Sequence, residues 1–228
     1  IILAGFGYLG KFIEQQADFN YKKVLYKLSR NPDKYRSVFG KHVEVDFDKE
    51  KFDIREMLDG STIIYMAPPN KDKDKDPRLE NFLNNTKRLN IEKIIYISTS
   101  GVYGDCGGSY VTEEAELKPL TSRAKKRVIA EKMIMKYSTV NNTNYVILRV
   151  PGIYGLGRLP LSKIREREPL IIKDECKITN LINVEDLARV VWRVIKDNIN
   201  NEIINVSDGT PITSTEYYLK IYDELEIE

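Results

Sequence analysis

Ile1-Ile2-Leu3-Ala4-Gly5-Phe6-Gly7-Tyr8-Leu9-Gly10 opens the chain: an apolar run entering Gly-x-Gly-x-x-Gly, with a helical pattern from Lys11 onward. A strand, a glycine turn and a helix in that order let a dinucleotide pyrophosphate rest on bare backbone at the positive end of a helix. Gly5 allows the tight exit from the strand, Gly7 lets the pyrophosphate approach the backbone, and Gly10 lets the helix pack close to the sheet. Gly5, Phe6, Gly7, Tyr8, Leu9 and Gly10 are therefore candidate cofactor contacts. The competing reading is an ordinary glycine-rich turn that holds no ligand.

Working outward, periodicity predicts a helix over residues 8–17, with Phe12, Ile13 and Ala17 on one side, and strands at 22–28 and 42–45. A helix at 51–58, a strand at 61–66, a helix at 77–89, a strand at 93–97, a helix at 121–140 and a strand at 145–150 follow. This alternation predicts α/β architecture: a Rossmann-type, doubly wound, mainly parallel sheet. Ligands of such sheets sit beyond the carboxyl ends of the strands. Those ends carry Ser29-Arg30, Asp46-Phe47, Ala67-Pro68 and Ser98-Thr99, so Ser29, Arg30, Asp46, Phe47, Ala67, Pro68 and Ser98 join the candidate cofactor contacts. Arg30 falls at the distance beyond the glycines where the ribose is read, with no acid adjacent, which favours NADP over NAD; a solvated loop charge is the alternative. Asp46 could reach an adenine edge or cap the helix at 51–58. His42 reads as structural, and the alternating run Lys71-Asp72-Lys73-Asp74-Lys75-Asp76 as a solvated loop.

From Pro151 the pattern loosens into a loop at 151–158 and a short helix at 161–167. Short strands at 170–172 and 177–182, a helix at 185–196 capped near Asn183, a strand at 203–206 and a helix at 213–225 complete the chain. Residues 1–150 are thus expected to form the nucleotide-binding domain. Residues 151–228 would form a small, dependent, substrate-side cap.

Composition narrows the function classes. With 228 residues, 42% of them hydrophobic, the chain can bury a proper core. A net charge of +2, from 36 basic and 34 acidic residues, gives no reason to expect nucleic acid or a membrane surface as partner. Cys106 and Cys176 make no disulfide framework, and with His42 as the one histidine a metal site is not expected. A reducing cytoplasm fits, and no run approaches the roughly 20 apolar residues of a membrane span.

Four further stretches carry a resemblance. Ser98-Thr99-Ser100-Gly101-Val102-Tyr103-Gly104, Leu148-Arg149-Val150-Pro151-Gly152-Ile153-Tyr154-Gly155, Asn183-Val184-Glu185-Asp186-Leu187-Ala188 and Asn205-Val206-Ser207-Asp208 follow the glycine turn in order. Together they resemble the extended short-chain dehydrogenase/reductase group, the NAD-dependent epimerase/dehydratase family, over nearly the whole chain. The resemblance implies NAD or NADP across the sheet, with Pro151 and Ile153 near the cofactor and Ser100, Tyr103 and Tyr154 near a substrate that is commonly a nucleotide sugar. It also implies a Ser/Thr after the fifth strand, here Thr99, and a Tyr-x-x-x-Lys on the next helix. Aligned on Ala130-Glu131, the Tyr and Lys positions are Arg123 and Arg127, so Arg-x-x-x-Arg replaces the pair. Arginine cannot be deprotonated at ordinary pH, so Arg123 cannot exchange a proton as the tyrosine does. Spacing puts both arginines on one helical face. They either aim two fixed cations into the cleft, or Arg127 pairs with Glu131 in solvent. Tyr110, in a glycine-rich loop, is a remote candidate for the tyrosine's role.

Three functions stay open: an NADP-dependent oxidoreductase or epimerase of a small or nucleotide-linked substrate with altered proton transfer, a non-catalytic NADP-binding sensor or scaffold, and a protein whose nucleotide site is vestigial. The partner expected is a small molecule, and a homodimer is left open as the assembly.

Overall fold

The computed structural model describes residues 1–34, 39–70, 76–87, 89–172 and 175–226. Most of the charge run, residues 71–75, lies outside the described residues. The elements in chain order are β1 (Ile2–Ala4), α1 (Tyr8–Gln15), α2 (Phe19–Lys23), β2 (Tyr26–Ser29), β3 (Lys41–Glu44), α3 (Arg55–Leu58), β4 (Ser61–Tyr65), α4 (Pro77–Thr86) and β5 (Ile91–Ile97). Then come α5 (Ser122–Asn141), β6 (Asn144–Arg149), β7 (Gly152–Tyr154), α6 (Leu161–Arg165), β8 (Ile178–Thr179), β9 (Leu181–Asn183), α7 (Val184–Lys196), β10 (Glu202–Asn205), β11 (Ile212–Thr213) and α8 (Ser214–Glu224).

Seven strands form one parallel sheet in the order β10-β6-β5-β4-β1-β2-β3. The winding direction reverses between β1 and β4, which opens a crevice at their carboxyl ends. Side chains alternate across the sheet. Ile2, Ala4, Ile63, Tyr65, Ile94 and Tyr96 face a core closed by residues of α3, α4 and α5. Leu3, Ile64, Ile95, Val146 and Leu148 face a second core with Leu9 and Ile13 of α1 and Leu187, Val191 and Trp192 of α7. Burial on both faces explains why β4, after Ser61 and Thr62, runs Ile63-Ile64-Tyr65 without alternating. The Trp192 indole donates to the Ile13 carbonyl at 2.8 Å, fixing α7 against α1. A second buried tie joins β2 to α1, where Lys27 Nζ lies 2.7 Å from Glu14 Oε1.

The Rossmann-type sheet expected from the alternation is present, and several elements differ from the periodicity. Residues 22–24 are not strand: α2 and its C-cap occupy that stretch, with Lys23 Nζ over the Phe19 ring and Lys22 Nζ over the Phe39 ring. The helix at 51–58 shrinks to Arg55–Leu58, so Asp46 caps nothing there; its Oδ1 accepts from the Asp48 amide at 3.1 Å. Residues 170–172 make no strand, and the strand at 177–182 is two short ones broken at Asn180. Within the loop expected at 151–158, β7 pairs in parallel with β9.

β10 pairs with β6 as the seventh strand of the main sheet, and α7 covers the same face as α1. Among the described elements, β7, β8, β9 and β11 lie outside the seven-stranded sheet, and no buried residue of α6 or α8 joins its two cores. Asn183 does cap α7, accepting from the Glu185 amide at 2.8 Å.

Candidate functional site

The glycine turn leaves β1 with Gly5 at φ +82°, in the left-handed region. A Cβ on Gly5 would stand 2.5 Å from the Ala67 amide nitrogen just after β4, so the turn and the β4 end meet at the crevice with no room for a side chain. The Gly5 and Phe6 amides both donate to the Leu28 carbonyl at 2.9 Å, anchoring the turn to β2. Gly7 is the N-cap of α1 and no side chain caps it, so the first-turn N–H groups face outward unanswered by a cap. A Cβ on Gly10 would stand 2.7 Å from the Phe6 ring, which meets the His42 ring edge-on with centroids 5.1 Å apart.

On one side of the turn lies a cleft of about 240 Å³ lined by Gly5, Phe6, Gly7, Ser29, Arg30, Asn31, Lys34, Val45, Asp46, Phe47, Ala67, Pro68 and Arg78. The Ser29 hydroxyl is bonded to His42 Nε2 at 2.8 Å. Phe47 turns its ring inward against Phe52, Tyr65 and Phe82. Arg30 has 60% of its side chain exposed, with Nη1 3.5 Å from Asp48 Oδ2. Sequence distance hid this acid, and the structure brings it back. Asp48 is already gripped by Arg78 through Nε and Nη2, both at 2.7 Å, while Arg78 Nη1 donates to the Pro68 carbonyl at 3.0 Å. The Arg78 hydrogen bond holds the Asp48 carboxyl below the usual carboxylate range.

On the other side lies a cleft of about 330 Å³ that shares Gly5, Gly7 and Pro68 with the first. Tyr8, Leu9, Gly10, Met66, Ile97, Ser98, Thr99, Arg123, Arg127, Val150, Pro151, Ile153 and Arg158 complete it. Thr99 caps the short 3-10 turn Ser100–Tyr103, accepting from the Gly101 amide at 3.3 Å. Arg123 is exposed at the start of α5, which Thr121 caps. Arg127 is 5% exposed; its Nη1 donates to the Tyr96 hydroxyl at 2.8 Å and its guanidinium lies 5.3 Å from that ring. Burial pushes the Tyr96 phenol up to about 12, so it stays protonated. Arg158 packs over the Tyr8 ring at 4.2 Å, and the Tyr8 hydroxyl donates to the Leu156 carbonyl at 3.0 Å.

The solvated Arg127–Glu131 pair does not form. Glu131 is 1% exposed and is bound by Arg149, with Nη2 to Oε2 at 2.8 Å and Nε at 3.3 Å from both oxygens; Ser98 Oγ donates to Oε1 as well. Arg149 also donates to the Tyr103 hydroxyl at 2.8 Å and the Glu113 carbonyl at 2.9 Å. The Tyr103 hydroxyl in turn donates to Asn205 Oδ1 at 2.7 Å.

The candidates expected around a cofactor therefore converge on the two clefts, with Thr99, Arg123 and Arg127 in the second. Ser100, Tyr103 and Tyr154 line neither cleft. Tyr103 is 4% exposed with its hydroxyl consumed by Arg149 and Asn205, the Ser100 amide donates to the Val150 carbonyl, and Tyr154 packs edge-on to Tyr217 at 6.1 Å. Tyr110 is 97% exposed and lines neither. Sequence reasoning missed Lys34, Arg78 and Arg158. Arg158 follows Gly155-Leu156-Gly157 directly, a glycine signal that could have flagged it. Among the described residues there is no group of three or more His, Cys, Asp or Glu that could hold a metal ion, and no helix long and apolar enough to cross a membrane.

Comparison with known proteins gives a consistent picture. The model of the "NAD dependent epimerase/dehydratase family" matches residues 78–207, more than half of the chain. An uncharacterized protein of Methanocaldococcus jannaschii is 24% identical over 153 residues, 63% of this chain and 47% of its own length. The GDP-6-deoxy-D-talose 4-dehydrogenase of Aggregatibacter actinomycetemcomitans is 23% identical over 140 residues, 57% of this chain and 47% of its own. The matches thus span about half the length of these curated relatives. Among solved structures, the UDP-glucuronic acid 4-epimerase of Bacillus cereus in complex with NAD superposes on 100% of this chain and 84% of its own, with TM-score 0.83 and 21% identity. The UDP-N-acetylglucosamine 4-epimerase of Methanobrevibacter ruminantium M1, in complex with UDP-N-acetylmuramic acid, covers 100% and 82%, with TM-score 0.79 and 18% identity. At these identities the structural likeness establishes the fold.

Proposed function

The chain belongs to the NAD dependent epimerase/dehydratase family, and on that premise we propose that it binds NADP across the two clefts and acts as an oxidoreductase or epimerase on a small or nucleotide-linked substrate. The observation that carries this reading is the pair of clefts meeting at Gly5, Gly7 and Pro68 on the carboxyl ends of a parallel sheet. The fit rests on the turn itself. Gly5 has no space for a Cβ, and the uncapped α1 terminus offers N–H groups and a positive dipole end to a pyrophosphate. The smaller cleft then takes the adenosine half, where Arg30, Lys34 and Arg78 outnumber Asp46 and the Asp48 held between Arg30 and Arg78 by one charge, a balance that suits a 2′-phosphate. The larger cleft takes the nicotinamide, which supplies hydride exchange when bound.

What the chain adds there differs from the Tyr-Lys chemistry that the resemblance implies. Arg123 and Arg127 occupy those two positions in our alignment, and neither can act as a base. They can orient a substrate oxygen and stabilise developing negative charge on it, with Thr99 as a hydroxyl partner. One observation favours a second reading, a non-catalytic NADP-binding sensor: among the described lining residues the sole phenol is Tyr8, whose proton goes to the Leu156 carbonyl. Fluorescence titration with NADPH, followed by a screen of carbonyl and nucleotide-sugar compounds for NADPH oxidation, separates the two. Tight binding with turnover of any compound supports the enzyme; tight binding with none supports the sensor; no binding of NADPH or NADH refutes both.

A further inference from the structure

Two guanidinium groups meet in the larger cleft with no carboxylate among the described residues to answer them. Arg123 and Arg127 lie one helical turn apart on α5 and both line the cleft, and none of its described lining residues is acidic. Arg127 is 5% exposed, and its Nε meets no acceptor. The acid one turn further on, Glu131, is already shared between Arg149 and Ser98. Asp76, 1% exposed, feels the Arg127 charge through space but forms no ion pair with it: burial raises its pKa, and its Oδ2 contacts no donor. Arg123 is exposed and makes no ion pair among the described residues. A buried, permanently charged group with unused donors is strongly disfavoured until a partner completes it.

We propose that the substrate carries a carboxylate, seated on Arg123 and Arg127 beside Thr99. This rests on the reading of the same cleft as the nicotinamide side of an NADP site. A guanidinium presents its N–H groups in a planar fork that matches two carboxylate oxygens, and an exposed Arg123 above a buried Arg127 gives the anion both a capture point and a fixed seat. The other anion within reach is the dinucleotide pyrophosphate, but its place is the glycine turn after β1, where α1 begins and Arg158 packs over Tyr8. Arg123 and Arg127 come instead from α5, which packs over β5 and β6, two and three strands away from β1 in the sheet.

The test titrates the full chain with malonate by calorimetry, first without nucleotide and then saturated with NADP+. The neutral malonamide and inorganic phosphate serve as comparison probes. Malonate should bind in both conditions and malonamide in neither. Arg123→Gln, a change at an exposed position, should weaken malonate about tenfold or more, with NADP+ affinity within about twofold of the parent. Arg127→Lys keeps a charge, loses the fork, and should weaken malonate while leaving the fold intact by circular dichroism. Malonate binding abolished by saturating NADP+ would assign the arginines to the cofactor phosphates and overturn the proposal. Equal affinity for malonamide, or tighter binding of phosphate than of malonate, overturns it too. Malonate bound through Arg123 by a chain with no affinity for NADP+ or NADPH would refute the cofactor reading and leave the carboxylate site standing.

Discussion

Changing Glu131 to Gln removes one charge and nothing of the shape, which makes it a sharp probe of the wall behind the larger cleft. Glu131 and Arg149 have side-chain exposures of 1% and 3%, so neither charge has water to fall back on. The amide would still accept from Ser98 and from one Arg149 donor, but the guanidinium would keep its full charge in the core. Leaving a buried partner uncompensated costs about 3–5 kcal/mol, a large share of the roughly 5–15 kcal/mol that holds a domain folded. At about 2–4 °C per kcal/mol for a chain of this size, the midpoint should fall by roughly 6–20 °C. Urea unfolding followed by circular dichroism gives the free energy directly. Arg149→Met should cost a similar amount. Because each single change strands the other charge, the double variant should lose less than the sum, with a coupling of about 2 kcal/mol. A loss below about 1 kcal/mol for Glu131→Gln, or strict additivity in the cycle, would show that this pair is not the buried, mutually dependent unit described above.

Gly5→Ala combines a disfavoured φ with a backbone collision at 2.5 Å, so NADPH affinity should drop at least tenfold and stability by more than the roughly 1–2 kcal/mol of left-handed strain alone. Unchanged affinity in a fluorescence titration would mean that no nucleotide touches this turn. Arg30→Ala should weaken NADPH several-fold and leave NADH nearly untouched; equal effects on both would remove the argument for the 2′-phosphate. His42 offers a pH signature, since burial foremost and the nearby Lys27 charge depress its pKa below 6.5. A depressed pKa keeps the folded ring neutral while the unfolded ring takes up a proton. The associated stability is therefore full above about pH 6.5 and is lost as pH falls through and below that value. His42→Gln should flatten the midpoint-versus-pH curve between about pH 7 and 5.5, and identical curves for the two proteins would refute the assignment.

The sheet was legible because its signals are local and strong. β4 is buried on both faces and ends in the apolar run Ile63-Ile64-Tyr65, and the glycine turn follows an apolar strand directly. The misreadings come from contacts made across the chain. The apolar Val24 and Leu25 extend the strand reading back to Lys22, yet residues 22–24 turn helically, with aromatic rings under the lysines. β7 is a short strand inside a glycine-rich stretch and exists only because β9, well downstream, returns to pair with it. Helical spacing put Arg127 beside Glu131, but a buried arginine from another strand, Arg149, takes that acid first. The same competition removed Tyr103, whose hydroxyl Arg149 and Asn205 hold. Asp48 and Arg78 are far apart in sequence, and no periodicity reveals their ion pair. For the site, glycines and strand ends were readable; the electrostatic partners were not.

The late arrival of β10 has a consequence for how the protein is made. After β6 is synthesised, the chain must run on from Arg149 to Glu202 before the strand that covers its outer edge exists. In that interval α7 must also appear, to cover Leu3, Ile64, Ile95 and Leu148. At roughly 5–20 residues per second the nascent chain spends several seconds with an open strand edge and with the part of one apolar face that α1 leaves uncovered still wet. That window is when it is most open to edge-to-edge pairing with another copy. A fragment of residues 1–150 would lack both β10 and α7, and would keep that edge and that part of the face open.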